Sequence, residues 1–84
     1  MSQFNKLVAK FLALPPQVRF REVCALLNHF GYVEVRAKGS HHTFENAAGQ
    51  VIVVPKKGGK LVSRTYVKVI VQLLDLENWQ NHGQ

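Results

Sequence analysis

At 84 residues the chain has room for one folded unit with a thin core, and a deep substrate cleft is hard to build at that size. Its 46% apolar and 19% charged residues mark a globular chain, and a lone Cys24 excludes both an internal disulfide and a multi-cysteine zinc site. The net charge of +6 lies wholly between Arg36 and Lys68, where seven cations face only Glu45, and this concentration favours a polyanionic partner, either nucleic acid or an acidic protein.

Phe4, Leu7, Val8 and Phe11 are spaced as a helical stripe, which predicts a helix over 3–13 with Lys6 and Lys10 on its other side. Pro15-Pro16 ends it. The apolar run at 11–14 stops at that proline pair, so neither a membrane span nor a secretory leader is expected, and the chain reads as soluble and cytoplasmic. Phe20, Val23, Cys24, Leu27 and Phe30 share one face of a second helix, with Gly31 as its C-terminal cap. Cys24 is read as a small buried hydrophobe and His29, in the last turn, as a solvated residue.

The period then changes to two. Residues 32–38 alternate, with Val33, Val35 and Ala37 on one side and Tyr32, Glu34, Arg36 and Lys38 on the other. Gly39-Ser40 is a turn, 41–46 a second strand, Ala47-Ala48-Gly49 a turn, and 50–55 a β-branched strand stopped by Pro55. The loop "KKGGK" carries three lysines. From Ser63, placed to cap a helix start, Tyr66, Val69, Ile70, Leu73 and Leu74 keep helical spacing, and the tail after Trp79 is expected to fray. This order predicts an α+β fold: a three-stranded antiparallel sheet, helices on one face, and an extra N-terminal helix.

Phe44 belongs on the helix-covered face, where its burial is worth about 1.5–3 kcal/mol. Strand parity then sends Ser40 and His42 inward with it and leaves His41, Thr43 and Glu45 on the open face. Two adjacent histidines on opposite faces cannot share an ion, so no metal and no cofactor is expected. No nucleophile elbow is present either. What remains for His41 is general acid–base chemistry. RNA cleavage suits a single imidazole, because the substrate's own 2′-hydroxyl is the nucleophile and lysines such as Lys38, Lys57 and Lys60 can stabilise charge at phosphorus.

The stretch "LLNHFGYVEVRAKGSHHTFENAAGQVIVVPKKGGKLVSRTYVKVIVQLL" resembles the HicA family, also called YcfA-like mRNA interferase toxins. The likeness runs from about residue 20 to 76. It rests on the ordered set of Leu-x-x-x-Gly-Tyr, Lys-Gly-Ser-His-His-x-Phe, Val-Val-Pro and Gly-Gly-Lys. The resemblance implies one HicA-like domain over 1–84. It also implies a fold like the double-stranded-RNA-binding domain, a ribonuclease acting on messenger RNA, and a HicB-type antitoxin as partner. The helix at about 3–14 lies outside the common core and reads either as a packing extension or as a contact for the antitoxin. The family's catalytic histidine directly follows Gly-Ser, which here is His41. Arg36, Lys38, Lys57, Lys60 and Arg64 would hold RNA phosphates, Ser40 would shape the turn or bond RNA, and Gly39 would permit its backbone conformation. One departure is Lys57, where the family often carries a histidine. Two rival readings stay open on the residues alone: a non-catalytic RNA-binding module, and a protein-interaction module whose basic face meets an acidic partner. Tyr32 and Tyr66 are the few aromatics suited to base stacking.

Overall fold

The computed structural model describes residues 3–82, the last three by their backbone alone. Gln3–Leu12 form α1, which buries Val8 and Phe11. Leu14 then turns the chain at a left-handed φ of 52°, ahead of the two prolines. Gln17–Arg19 form a short strand, β1, and Phe20–His29 form α2, burying Val23, Leu26 and Leu27. The start of α2 is closed from within, since the Glu22 carboxylate accepts the Arg19 N–H at 2.9 Å. The same carboxylate takes the Lys10 ammonium at 2.8 Å and ties α1 to α2.

Gly31 turns the chain at a φ of 89°, and Val33–Lys38 (β2), His41–Glu45 (β3) and Val51–Pro55 (β4) make an antiparallel sheet in the order β2-β3-β4. Leu61–Ser63 (β5) pairs instead with β1 as a separate two-stranded ribbon packed on α2 and on α3, Arg64–Leu74. The expected final helix is broken. Asp75 adopts a left-handed φ of 51°, and Leu76–His82 continue as α4 with Leu76 buried. Helix therefore persists beyond Trp79 to His82, and the rest of the expected frayed tail, positions 83 and 84, lies outside the described residues. Ser63 precedes α3 but makes no side-chain cap bond, while the first amide of the helix donates to the Pro16 carbonyl at 2.9 Å. Val67 and Ile70 are the buried positions of α3, and Val69, expected on the apolar stripe, is exposed.

The core joins Phe44, Ile52 and Val54 from one face of the sheet to Val8, Phe11, Leu26, Leu27, Ile70 and Leu76 from the helices. The fold is thus α+β, with helices over one face of the three-stranded sheet. At its periphery Phe4 stacks on His29 at 3.6 Å between ring centroids and meets Trp79 edge-on at 5.1 Å. His29 is exposed yet packed against α1, more than the solvated residue expected.

Candidate active site

Strand β3 buries His42 and Phe44 and leaves His41 exposed, as its parity requires. The neighbouring strand does not keep simple alternation. Glu34 pairs with Phe44, Arg36 with Thr43, Ala37 with His42 and Lys38 with His41, so Val35 is an extra residue in a β-bulge. The bulge reverses the facing of everything after it. Glu34 and Ala37 sit on the helix side, while Arg36 and Lys38 join His41 on the open face. Alternation alone had grouped Glu34 with Arg36 and Lys38; the bulge separates them and sets a lysine directly across from His41.

The turn after Lys38 needs its glycine for the backbone, since Gly39 has a φ of 60° and a Cβ there would meet nothing within 4 Å. Ser40 is exposed in this turn and does not follow His42 and Phe44 into the core, because the strand begins only at His41. The Ser40 carbonyl accepts the Lys56 amide at 2.8 Å, and Pro55 pairs with His41 on the other side. Lys57 bridges to Leu61, and the Lys60 amide donates to the Lys57 carbonyl at 3.0 Å, so the glycine loop is pinned beside the His41 end of the sheet. The structure therefore gathers Lys38, Ser40 and His41, while the loop that starts at Lys56 beside Ser40 carries Lys57 and Lys60 on toward β1 and β5. Arg36 lies further along the open face. Arg64 stands apart at the start of α3, where its Nε donates to the Leu14 carbonyl at 2.9 Å and holds the turn before β1.

On the covered face His42 is only 8% exposed. Its Nδ1 meets a Glu34 carboxylate oxygen at 2.6 Å, its ring lies 4.5 Å from that of Phe20, and its Nε2 is buried without a partner. The Glu34–His42 pair has no signal in the sequence, since it exists only because of the bulge. Cys24 is half-buried, and burial first, then the Glu34 charge, pushes its thiol up, which suits a packing role and not a nucleophile. Tyr32 is buried and withdrawn from any base. Among the described residues no three His, Cys, Asp or Glu side chains are grouped as metal ligands, and no helix is long and apolar enough to cross a membrane.

The open face also carries a strip that sequence reading did not mark. Val33, Val51 and Val53 are 56%, 52% and 44% exposed, and Val33 and Val51 flank Glu45 while Val53 sits beside Thr43.

The family model described as the HicA toxin of bacterial toxin–antitoxin systems matches residues 20–76. The chain belongs to the HicA family. Neither a curated protein nor a solved structure matches it. The HicA match takes in α2, the three-stranded sheet, the glycine loop, β5 and α3, and so contains both histidines of the Gly-Ser-His-His turn. Helix α1 and strand β1 precede it.

Proposed function

We propose that this chain is an mRNA interferase, a metal-independent endoribonuclease toxin held in check by a HicB-type antitoxin and working in the cytoplasm on a fold like the double-stranded-RNA-binding domain. HicA membership supports the toxin class, and the exposed His41 directly across from Lys38 is the observation that carries the chemistry. In this reading the 2′-oxygen of a ribose attacks the adjacent phosphorus, and the bond from phosphorus to the 5′-oxygen breaks. His41 either accepts the 2′-hydroxyl proton or delivers one to the leaving 5′-oxygen. Lys38, Lys57 and Lys60 offset the negative charge that grows on the phosphoryl oxygens. Arg36 and Arg64 hold flanking phosphates, Ser40 and Gly39 set the turn, and no cofactor enters. Lys57, standing where relatives often have histidine, supplies charge but little proton exchange near neutral pH.

The exposed valines favour a second role for the same face. Phosphates gain nothing from Val33, Val51 and Val53, whereas a protein partner does. An antitoxin seated there would cover His41 and its cations together.

The test is incubation of a long RNA in EDTA with the native chain, His41→Ala and His42→Ala. Cleavage lost through His41→Ala, with His42→Ala still cutting in proportion to its folded fraction, supports the reading. Equal RNA binding by all three proteins with no cutting would replace it with a non-catalytic RNA-binding module.

A further inference from the structure

Residues ahead of the family match build a second cationic surface together with the glycine loop. A cleft of about 360 Å³ is lined by Lys10 of α1, Gln17 and Arg19 of β1, and Lys57, Gly58 and Lys60 of the loop. An adjoining depression of about 290 Å³ continues past Arg19 to Arg21, Gly59 and Lys60. No acidic residue lines either one. The Glu22 carboxylate, outside both linings, is bonded to the Lys10 ammonium and to the Arg19 amide and offsets part of the charge of those two cations, leaving Arg21, Lys57 and Lys60.

The surface is fixed by the fold. Arg19 pairs with Leu61 in the β1–β5 ribbon, the Phe20 amide donates to the Lys60 carbonyl at 2.7 Å, and Lys57 exchanges backbone bonds with Leu61 at 2.7 and 2.9 Å. At its other end the loop is bonded through Lys56 to the Ser40 carbonyl, one residue from His41.

We infer that Arg19 and Arg21, with Lys10, Lys57 and Lys60, form a phosphate track that carries an RNA backbone from the N-terminal segment to His41. This rests on the RNA reading above and adds to it residues that lie outside the expected set. The wall chemistry favours RNA over a protein. The exposed residues of the two depressions are cations, glycines and a glutamine; the apolar ones, Val18, Phe20 and Leu61, are buried or half-buried, so the large exposed apolar anchors that the centre of a protein interface needs are not among them. Those anchors, the valines, lie on the open face of the sheet. A shallow run of cations suits a repeating phosphodiester.

The test uses a 2′-O-methyl RNA 20-mer, which cannot be cut, so binding is read without catalysis. Affinity is measured against salt for the native chain, Arg19→Gln/Arg21→Gln, and Lys68→Gln as a cation outside the track. Thermal melts confirm that each variant folds. Two lost phosphate contacts should flatten the slope of log affinity against log salt by about 1.4 in the double variant. Lys68→Gln should keep the native slope. A native slope in the double variant, or equal flattening by Lys68→Gln, overturns the track. So does a double variant that loses affinity for polyglutamate but not for RNA, which would make the cleft a contact for an acidic protein. Failure of the native chain to bind the RNA at any salt would instead remove the underlying RNA reading.

Discussion

The two faces of the three-stranded sheet treat neighbouring residues of one strand in opposite ways. On the covered face Phe44 and His42 are packed against the helices, and even the polar ring of His42 is held by Glu34 and Phe20. On the open face His41 meets solvent beside Lys38 and a strip of exposed valines. A histidine's availability for chemistry is thus decided by strand parity, one residue either way. Substitutions on one face should be read as stability and on the other as activity.

The sharpest test of that division is His41→Ala. RNA cleavage should fall by about 10²–10⁴ in rate. The urea unfolding free energy should stay within about 0.5 kcal/mol of native, since the side chain is exposed. A variant that unfolded as easily as it lost activity would erase the distinction between the faces. His42→Ala should show the reverse pattern. Removing the ring leaves the Glu34 carboxylate without its partner and Phe20 without a contact, costing about 1–3 kcal/mol in urea unfolding. Residual cleavage should then follow the folded fraction. Glu34→Gln, which keeps a hydrogen-bonding group at the site, should cost less than His42→Ala in the same titration.

A smaller effect is expected from the valines, and it sharpens the account of the open face. Val51→Asp/Val53→Asp should leave cleavage in place while weakening capture by a HicB-type antitoxin. Loss of an apolar contact of this kind costs on the order of 1 kcal/mol or more per anchor, so calorimetry should record at least about a tenfold drop. Unchanged antitoxin affinity would show that the strip is not its seat.

The facing of His41 and His42 was legible in the sequence because strand parity is local and one phenylalanine sets it. The helices were legible for the same reason, through their apolar stripes. The bulge at Val35 was not, because Glu34, Arg36 and Lys38 continue an unbroken alternation and nothing in it announces an extra residue. The β1–β5 ribbon was hidden too. Two three-residue strands separated by about half the chain carry little pattern of their own, and they form because α2 and α3 pack on them. The gathering of Arg19 with Lys57 and Lys60 depends on that non-local pairing. So does the bond from Arg64 to Leu14, which gives a residue expected to hold RNA a further task in anchoring the N-terminal segment. The break at Asp75 followed from a residue type that tolerates the left-handed region, inside a run whose apolar spacing read as one helix.

The smallest expected effect concerns the tie between that segment and the family core. Burial alone would raise the Glu22 carboxyl, but the Lys10 and Arg19 hydrogen bonds and their charges outweigh it and hold the group below its ordinary value of 4.5. A depressed carboxyl contributes its stability above the unfolded value and loses it as pH falls through the folded one. The Lys10–Glu22 tie should therefore be intact at neutral pH and released in acid, below the ordinary carboxylate range. Lys10 is half exposed, so the contribution is that of a surface pair, under about 1 kcal/mol. Lys10→Met should lower stability by that small amount at pH 7, and the difference from native should shrink as the pH is taken through the Glu22 titration. If the difference instead persists in acid, the link between α1 and α2 rests on the packing of Val8 and Phe11, and the charge pair is incidental.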